Sequence, residues 1–276
     1  GILEIRFPRL FEQFSRWVSM VANLDALKFF KFGCLVKTTF HTRLLFSTLM
    51  PIILVTLIGL VYVVRGGILE RRGKLEEKTK FTDMCTTFFL AITYLVFASV
   101  STTIFKTFQC ERYGDDPVRY LVEDQQIDCD SDIHRFHESY ALFMMFVYPF
   151  GITMLYTVLL VRKRKSLLED DRHEDVSLVK IGFLWEMYES RAWWFEIFEC
   201  MRRLAMTGLL VFVSPGSPTQ VIVAILNSLI SIIMYSHLLP FESDSDDKLA
   251  IVSQWSIFVT LFAALMVRLD VDDMEG

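Results

Sequence analysis

Apolar residues in this chain fall in runs of about twenty, each closed off by charge, rather than at the 2- or 3.6-residue spacing of a half-buried element. The run from Tyr140 to Val161 shows the pattern best: it holds no Asp, Glu, Lys or Arg and stops at Arg162-Lys163-Arg164-Lys165. An α-helix rises ~1.5 Å per residue, so ~20 residues cover the ~30 Å hydrocarbon core of a bilayer. The pattern predicts an all-α, polytopic transmembrane helix bundle over 44–267 with about six crossings, at 44–64, 84–105, 140–161, 193–213, 221–239 and 249–267. The fourth differs from the rest. Its apolar part, Leu204 to Val213, is too short and must recruit the charged stretch 193–203. Ser214-Pro215-Gly216-Ser217-Pro218 reads as a tight turn that makes the fourth and fifth crossings a hairpin. No internal repeat is present.

Residues 1–43 carry a different pattern. Leu10, Phe11, Phe14, Trp17, Val18, Val21 and Leu24 recur at helical spacing, opposite Arg9, Glu12, Gln13, Arg16 and Asp25. This predicts an amphipathic helix lying in the membrane interface, or one packed on an upstream part of the protein. The chain opens on Gly1 with no leader-like segment, so it is expected to be a piece of a longer protein, with 268–276 the polar tail of the fragment.

Charge sets the expected orientation. Arg71, Arg72, Lys74, Lys78 and Lys80 crowd loop 65–83, and Arg162 to Lys165 open loop 162–192. Loops rich in Lys and Arg are retained in the cytoplasm. Loop 106–139, with Glu111, Asp115, Asp116, Glu123, Asp124, Asp128, Asp130 and Asp132, is then extracellular, in a protein of the plasma membrane. Lys28, Lys31, Lys37 and Arg43 run against the outer placement of the first segment. Loop 162–192 has a solvated first half, Glu169 to Asp175, and an aromatic second half, Ile181 to Tyr188, which suits an elbow at the inner surface.

Composition agrees with lipid as the main partner: 53% of residues are hydrophobic, yet 22% are charged and segregated into loops. The mean hydropathy is +0.40. A net charge of -5 disfavours nucleic acid as a partner. No His-Glu-x-x-His, Gly-x-Ser-x-Gly, Gly-x-x-x-x-Gly-Lys or Gly-x-Gly-x-x-Gly occurs, so neither an enzyme nor a cofactor is expected.

Five groups of residues invite a functional reading. Cys110 and Cys129 bracket the outer loop, on the side where disulfides persist, with Cys34 as a competing partner. Cys85 and Cys200 read as small buried residues. Glu196, Glu199 and Arg203 fall at i, i+3 and i+7 on the fourth crossing, beside Arg202. Counted from the turn, Arg203 lies ~15 Å deep, where an unpaired Arg costs ~2.5–3.5 kcal/mol. The cluster is therefore a structural ion-pair lock, a set of snorkelling arginines, or part of a gate or ion path. Asn227, Ser228, Ser231, Ser253 and Gln254 on the last two crossings are candidates for a polar lining or for hydrogen bonds between helices. Pro51 and Pro149 are expected to kink their helices.

Metal sites are not expected. Asp128, Asp130 and Asp132, and Glu242, Asp244 and Asp246, alternate, but neither string has the Gly and Glu of a calcium loop. His134 and His137 beside Asp132 are the weak alternative.

Several stretches resemble the C-terminal membrane region of large protist and algal surface proteins of the TRP-like (transient receptor potential-like) class. They are Asn23-Leu24-Asp25 with Cys34, Ile127-Asp128-Cys129-Asp130-Ser131 with His134, and Tyr148-Pro149-Phe150-Gly151-Ile152. Further along are Trp193-Trp194-Phe195-Glu196 with Glu199, Arg202 and Arg203, Thr207-Gly208, Leu239-Pro240-Phe241 and Ser253-Gln254-Trp255. The resemblance implies a repeat-rich ectodomain upstream and a cation channel or channel-related sensor, with inorganic cations as its partners. The turn between the fourth and fifth crossings is too short for a pore loop, so a pore would be lined by helices, in a homo-oligomer. The alternative is a non-conducting membrane anchor that signals for an adhesive or sensory ectodomain. A transporter would need a pair of broken helices at mid-depth, and none is evident.

Overall fold

A computed structural model describes residues 39–113, 118–169, 171–173, 175, 178–213 and 218–275. The amphipathic segment expected within 1–43, Cys34 and the turn at 214–217 lie outside the described residues, apart from 39–43. What is described is mostly helical. It contains five helices long and apolar enough to cross a membrane.

Two of them form a hairpin, α1 (Phe40–Arg71) and α2 (Leu75–Lys106). Each runs past its predicted apolar core because charged flanks continue the helix into the headgroup region. Their turn is sharp because Gly73 takes φ +71°. The Gly73 and Lys74 N–H groups then donate to the Glu70 and Leu69 carbonyls, each at 3.0 Å, which caps the last turn of α1. Most of the apolar surface of α1, including Leu57, Leu60, Val61 and Val63, is exposed. Such a face is untenable in water and suited to lipid.

Loop 106–139 is more ordered than its acidic composition suggests. It holds a three-stranded antiparallel sheet, β1 (Cys110–Arg112), β2 (Arg119–Leu121) and β3 (Asp124–Asp128). The expected disulfide joins Cys110 to Cys129, with Cα atoms 6.3 Å apart. It ties β1 to the segment leading into α3 (Asp132–Met145), whose first turn is capped by Ser131: its hydroxyl accepts the His134 N–H at 3.3 Å.

α3 continues through a π turn at Phe146–Phe150 into α4 (Gly151–Arg162). Pro149 has no N–H to give, and the widened turn is how the helix absorbs that loss. The next residue must be small: a Cβ on Gly151 would lie 2.8 Å from the Phe146 carbonyl oxygen. Around Pro51, by contrast, α1 stays α-helical without such a turn, although Pro51 leaves the Ser47 carbonyl without its helical donor.

After the short α5 (Arg164–Leu167) come two 3-10 turns, Val179–Leu184 and Ser190–Ala192. Then follow α6 (Phe195–Thr207), a 3-10 turn at Leu209–Phe212, α7 (Pro218–Leu238) and α8 (Asp244–Glu275). The backbone of α8 carries on through most of 268–276, the stretch read from sequence as a tail. α6 is not among the five long apolar helices: it has only 13 residues, and Glu196, Glu199, Arg202 and Arg203 are among them.

The segment around α6 nevertheless links the two ends of the bundle. Near its start, the Glu189 N–H donates to the Pro240 carbonyl at 2.8 Å and the Glu242 N–H to the Met187 carbonyl at 3.1 Å. These join it to the α7–α8 connection. Lys180 pairs with Asp83 near the start of α2 at 3.3 Å. At its far end, the Phe212 ring lies 5.9 Å from Phe105 and 5.8 Å from Phe108, at the opposite end of α2. Gly208 makes this approach possible, since a Cβ there would sit 2.1 Å from the Phe105 ring. Gly208→Ala is therefore expected to destabilise the fold by about 1–3 kcal/mol through overpacking, read as a lower unfolding midpoint in detergent.

Candidate functional site

The strongest constellation is built on α6. Glu199 is 4% exposed and Glu196 1%, both deep among apolar side chains. Two carboxylates so placed need partners, and they find different ones. Arg202 grips Glu199 with two parallel hydrogen bonds, Nε to Oε1 and Nη2 to Oε2, each at 2.9 Å. Arg203 Nε approaches Glu199 Oε2 at 3.4 Å. The Tyr235 hydroxyl, from α7, donates to Glu199 Oε1. Arg203 reaches across to α2: its Nη2 donates to the Tyr94 hydroxyl at 2.7 Å, and its guanidinium lies 4.8 Å from the Tyr94 ring centroid. One carboxylate thus joins two arginines, and through them and Tyr235 three helices, α2, α6 and α7.

Glu196 shares the helix but not the ion pairs. Its Oε2 accepts the Tyr188 hydroxyl at 2.8 Å, and the Cys200 thiol lies 4.0 Å from Oε1. The i, i+3, i+7 pattern puts Glu196 with the charges. The structure separates it into an aromatic pocket of Tyr188, Phe195, Tyr235 and Phe241. Tyr94, Tyr188 and Tyr235 complete the site and escape the sequence reading. The available signal is that a phenol within an apolar run must find a partner for its hydroxyl.

The polar residues of α7 and α8 divide. Ser231 and Ser228 donate to carbonyls of their own helix, Asn227 and Ile225, each at 2.8 Å. Ser253 does the same with Leu249 at 2.7 Å. Gln254 is buried, and Asn227 keeps a buried Nδ2 without a hydrogen-bond partner. These groups do not join the charge cluster.

At the end of the bundle bearing the α7–α8 connection, a cleft of about 480 Å³ is lined by Glu169, Arg172, His173, Arg191 and Glu242, among others. Arg172 stacks 5.0 Å from the Trp185 ring centroid, donates to the Tyr188 carbonyl at 2.8 Å and pairs with Glu242. His173 also meets Glu242, at 3.1 Å. The acidic string beginning at Glu242 is thus engaged in holding loop 162–192 to the α7–α8 connection.

The other acidic string is likewise spent on structure. Asp128 Oδ1 accepts the Asp130 N–H at 2.8 Å, and Asp130 pairs with Arg119 at 2.6 Å. Cys110, Cys129 and His134 place their side-chain donors close enough together for a metal ion, but the disulfide occupies both sulfurs. Burial pushes the Glu123 carboxyl up, while Lys106 and Arg43, the latter at 3.0 Å, outweigh it and hold it below the usual carboxylate range. The stabilisation it provides is present above the unfolded carboxylate value and is lost as pH falls through the lowered one. Arg43 is largely exposed, so Glu123→Gln is expected to cost no more than about 1 kcal/mol and to flatten the acid limb of a stability–pH curve.

No protein-family model, curated protein or solved structure matches the chain. What the chain does is therefore argued from its geometry.

Proposed function

We propose that this chain is the six-crossing membrane domain of a TRP-like, channel-related sensor, in which the Glu199 cluster locks the α2–α6–α7 packing in its resting arrangement. The observation that carries the reading is a bidentate, buried ion pair on a helix that the bilayer would otherwise reject. Charged groups at membrane depth are costly, face the protein interior and mark functional pathways. A lock of this kind is a two-state element: its helices shift only when the Glu199 contacts to Arg202, Arg203 and Tyr235 are exchanged for others.

Two features support α6 as the sixth crossing. Its helix and 3-10 turn together reach ~28 Å, at ~1.5 and ~2.0 Å per residue. The longer segment that contains it also meets opposite ends of α2, through Lys180, in a 3-10 turn that precedes α6, with Asp83 and through Phe212, after α6, with Phe105. The basic loops 65–83 and 162–192 then face the cytoplasm and the disulfide-bonded loop 106–139 faces outward, in the plasma membrane. Inorganic cations would pass along helices contributed by several copies.

A second reading, a non-conducting base for an upstream ectodomain, is favoured by the pairing of Glu199 with both Arg202 and Arg203 within one copy, which leaves the three a net positive charge and no free carboxylate to serve a cation path. Ion flux through the purified chain in liposomes, beside Glu199→Gln, tests the choice. Cation flux altered by the variant supports the sensor-channel. No flux from folded protein under voltage, stretch or calcium supports the base.

A further inference from the structure

Three of the chain's five histidines, far apart in sequence, meet at the disulfide-bearing end of the bundle. His41 lies in the first turn of α1; His134 and His137 lie in the first two turns of α3. His41 Nε2 is 3.2 Å from His134 Nδ1, and the His41 and His137 rings stack 3.9 Å apart at 9°. His134 is 1% exposed and has its other nitrogen 3.8 Å from Cys110 Sγ. His137 Nδ1 sits 2.8 Å from the Ile133 carbonyl, so it carries the proton and leaves Nε2 bare.

This arrangement does not tolerate two adjacent charged rings. A hydrogen bond between two imidazoles needs one bare nitrogen; once both rings are protonated, each nitrogen is a donor and the contact becomes repulsive. Parallel stacking of two imidazolium rings is repulsive for the same reason. The trio also sits at the N-termini of α1 and α3, where the helix dipoles disfavour added positive charge.

The surrounding charges are mixed. Asp124, on β3, faces His41, while Asp128 and Glu138 face His134, together with the Thr107 carbonyl. Asp124 is already engaged: its Oδ2 accepts the Phe40 N–H at 3.1 Å and so anchors the start of α1 to the sheet. These carboxylates can offset a first proton on the trio. They cannot relieve two adjacent imidazolium rings.

We infer that His41, His134 and His137 form a proton-sensitive clasp, which holds the start of α1 against α3 when neutral and releases it when acidification charges the rings. The inference stands apart from whether the chain conducts. Burial, with the neighbouring rings, pushes His41 down to about 4, and burial lowers His134 as well, so release belongs to distinctly acidic conditions, and its sign is fixed: the clasp is intact at higher pH and lost as pH falls through the lowered values. Below the clasp, the Thr48 hydroxyl meets the Tyr140 hydroxyl at 2.6 Å, and the Tyr148 hydroxyl donates to the Thr48 carbonyl. These contacts join hydroxyls and a carbonyl and include no imidazole, so the opening is confined to the first two turns of α1.

Hydrogen exchange of the full chain in nanodiscs at pH 7.5 and about 3.5, below the lowered His41 value and corrected for intrinsic exchange rates, tests this. The expected result is at least tenfold loss of protection over residues 40–47 at the lower pH, with 90–100 in α2 unchanged. His41→Gln and His137→Gln should each cut the pH-dependent change several-fold. His134→Gln empties a buried position; if it fails to fold, the two other variants carry the comparison. Equal protection at both pH values in the parent, or an undiminished acid loss in both His41→Gln and His137→Gln, would overturn the clasp.

Discussion

Glu199→Gln lowers stability by about 3–5 kcal/mol, the cost of leaving a buried charge without its partner. Gln keeps the shape and can still accept the Tyr235 hydroxyl, but Arg202 and Arg203 lose their shared carboxylate. Arg203 retains the Tyr94 hydroxyl, while Arg202 retains no comparable anion on α6. The companion variant Glu196→Gln is expected to cost no more than about 1 kcal/mol, because a neutral amide oxygen accepts the Tyr188 hydroxyl nearly as well as a carboxylate in a site without a paired Arg. Unfolding midpoints of the two variants in one detergent check the contrast. Equal losses would mean that the two carboxylates act as one group, as their shared helix face suggests.

Breaking the Cys110–Cys129 disulfide is the second large effect. The bond closes a loop with a sequence separation of 19, and removal of such a link releases about 3 kcal/mol of constraint on the unfolded chain. Cys110→Ser with Cys129→Ser is therefore expected to destabilise the outer sheet by about that amount. The loss should concentrate in β1–β3 and the start of α3, because α7 and α8 pack chiefly on each other and on α6. Limited proteolysis of parent and variant reads this directly: new cleavage should appear within 110–131 and not within the α7–α8 connection, 239–243. Cleavage at both would show that the sheet supports the whole bundle.

How much of this was legible in the sequence follows from the range of the interactions. The five long apolar helices follow from local composition, since charge-free runs of bilayer length need no partner to be recognised. The Cys110–Cys129 disulfide was one of the pairings the sequence offered, with Cys34 as a competing partner. Pro149 was expected to kink its helix; the structure has a π turn at Phe146–Phe150, which sequence spacing does not announce, and Pro51 has none. The sheet was not foreshadowed: its strands are three to five residues long, too short for alternation to show against an acidic background. The partners of the charge cluster were hidden for another reason. Tyr94 and Tyr235 lie far from Glu199 along the chain, on other helices, and no periodicity within α6 points to them. His41 and His134, 93 positions apart, meet for the same reason.

The proposed six-crossing topology rests on α6 crossing the membrane. Labelling with a membrane-impermeant thiol reagent in intact cells, on single cysteines at Lys74, Arg119, Val213 and Ser243 and against the parent background, measures that crossing directly. Six crossings place Val213→Cys with Arg119→Cys, both labelled from outside, and Lys74→Cys with Ser243→Cys, labelled only after permeabilisation. Labelling of Val213→Cys and Ser243→Cys from opposite sides to these, or of Val213→Cys together with Lys74→Cys, would contradict the account.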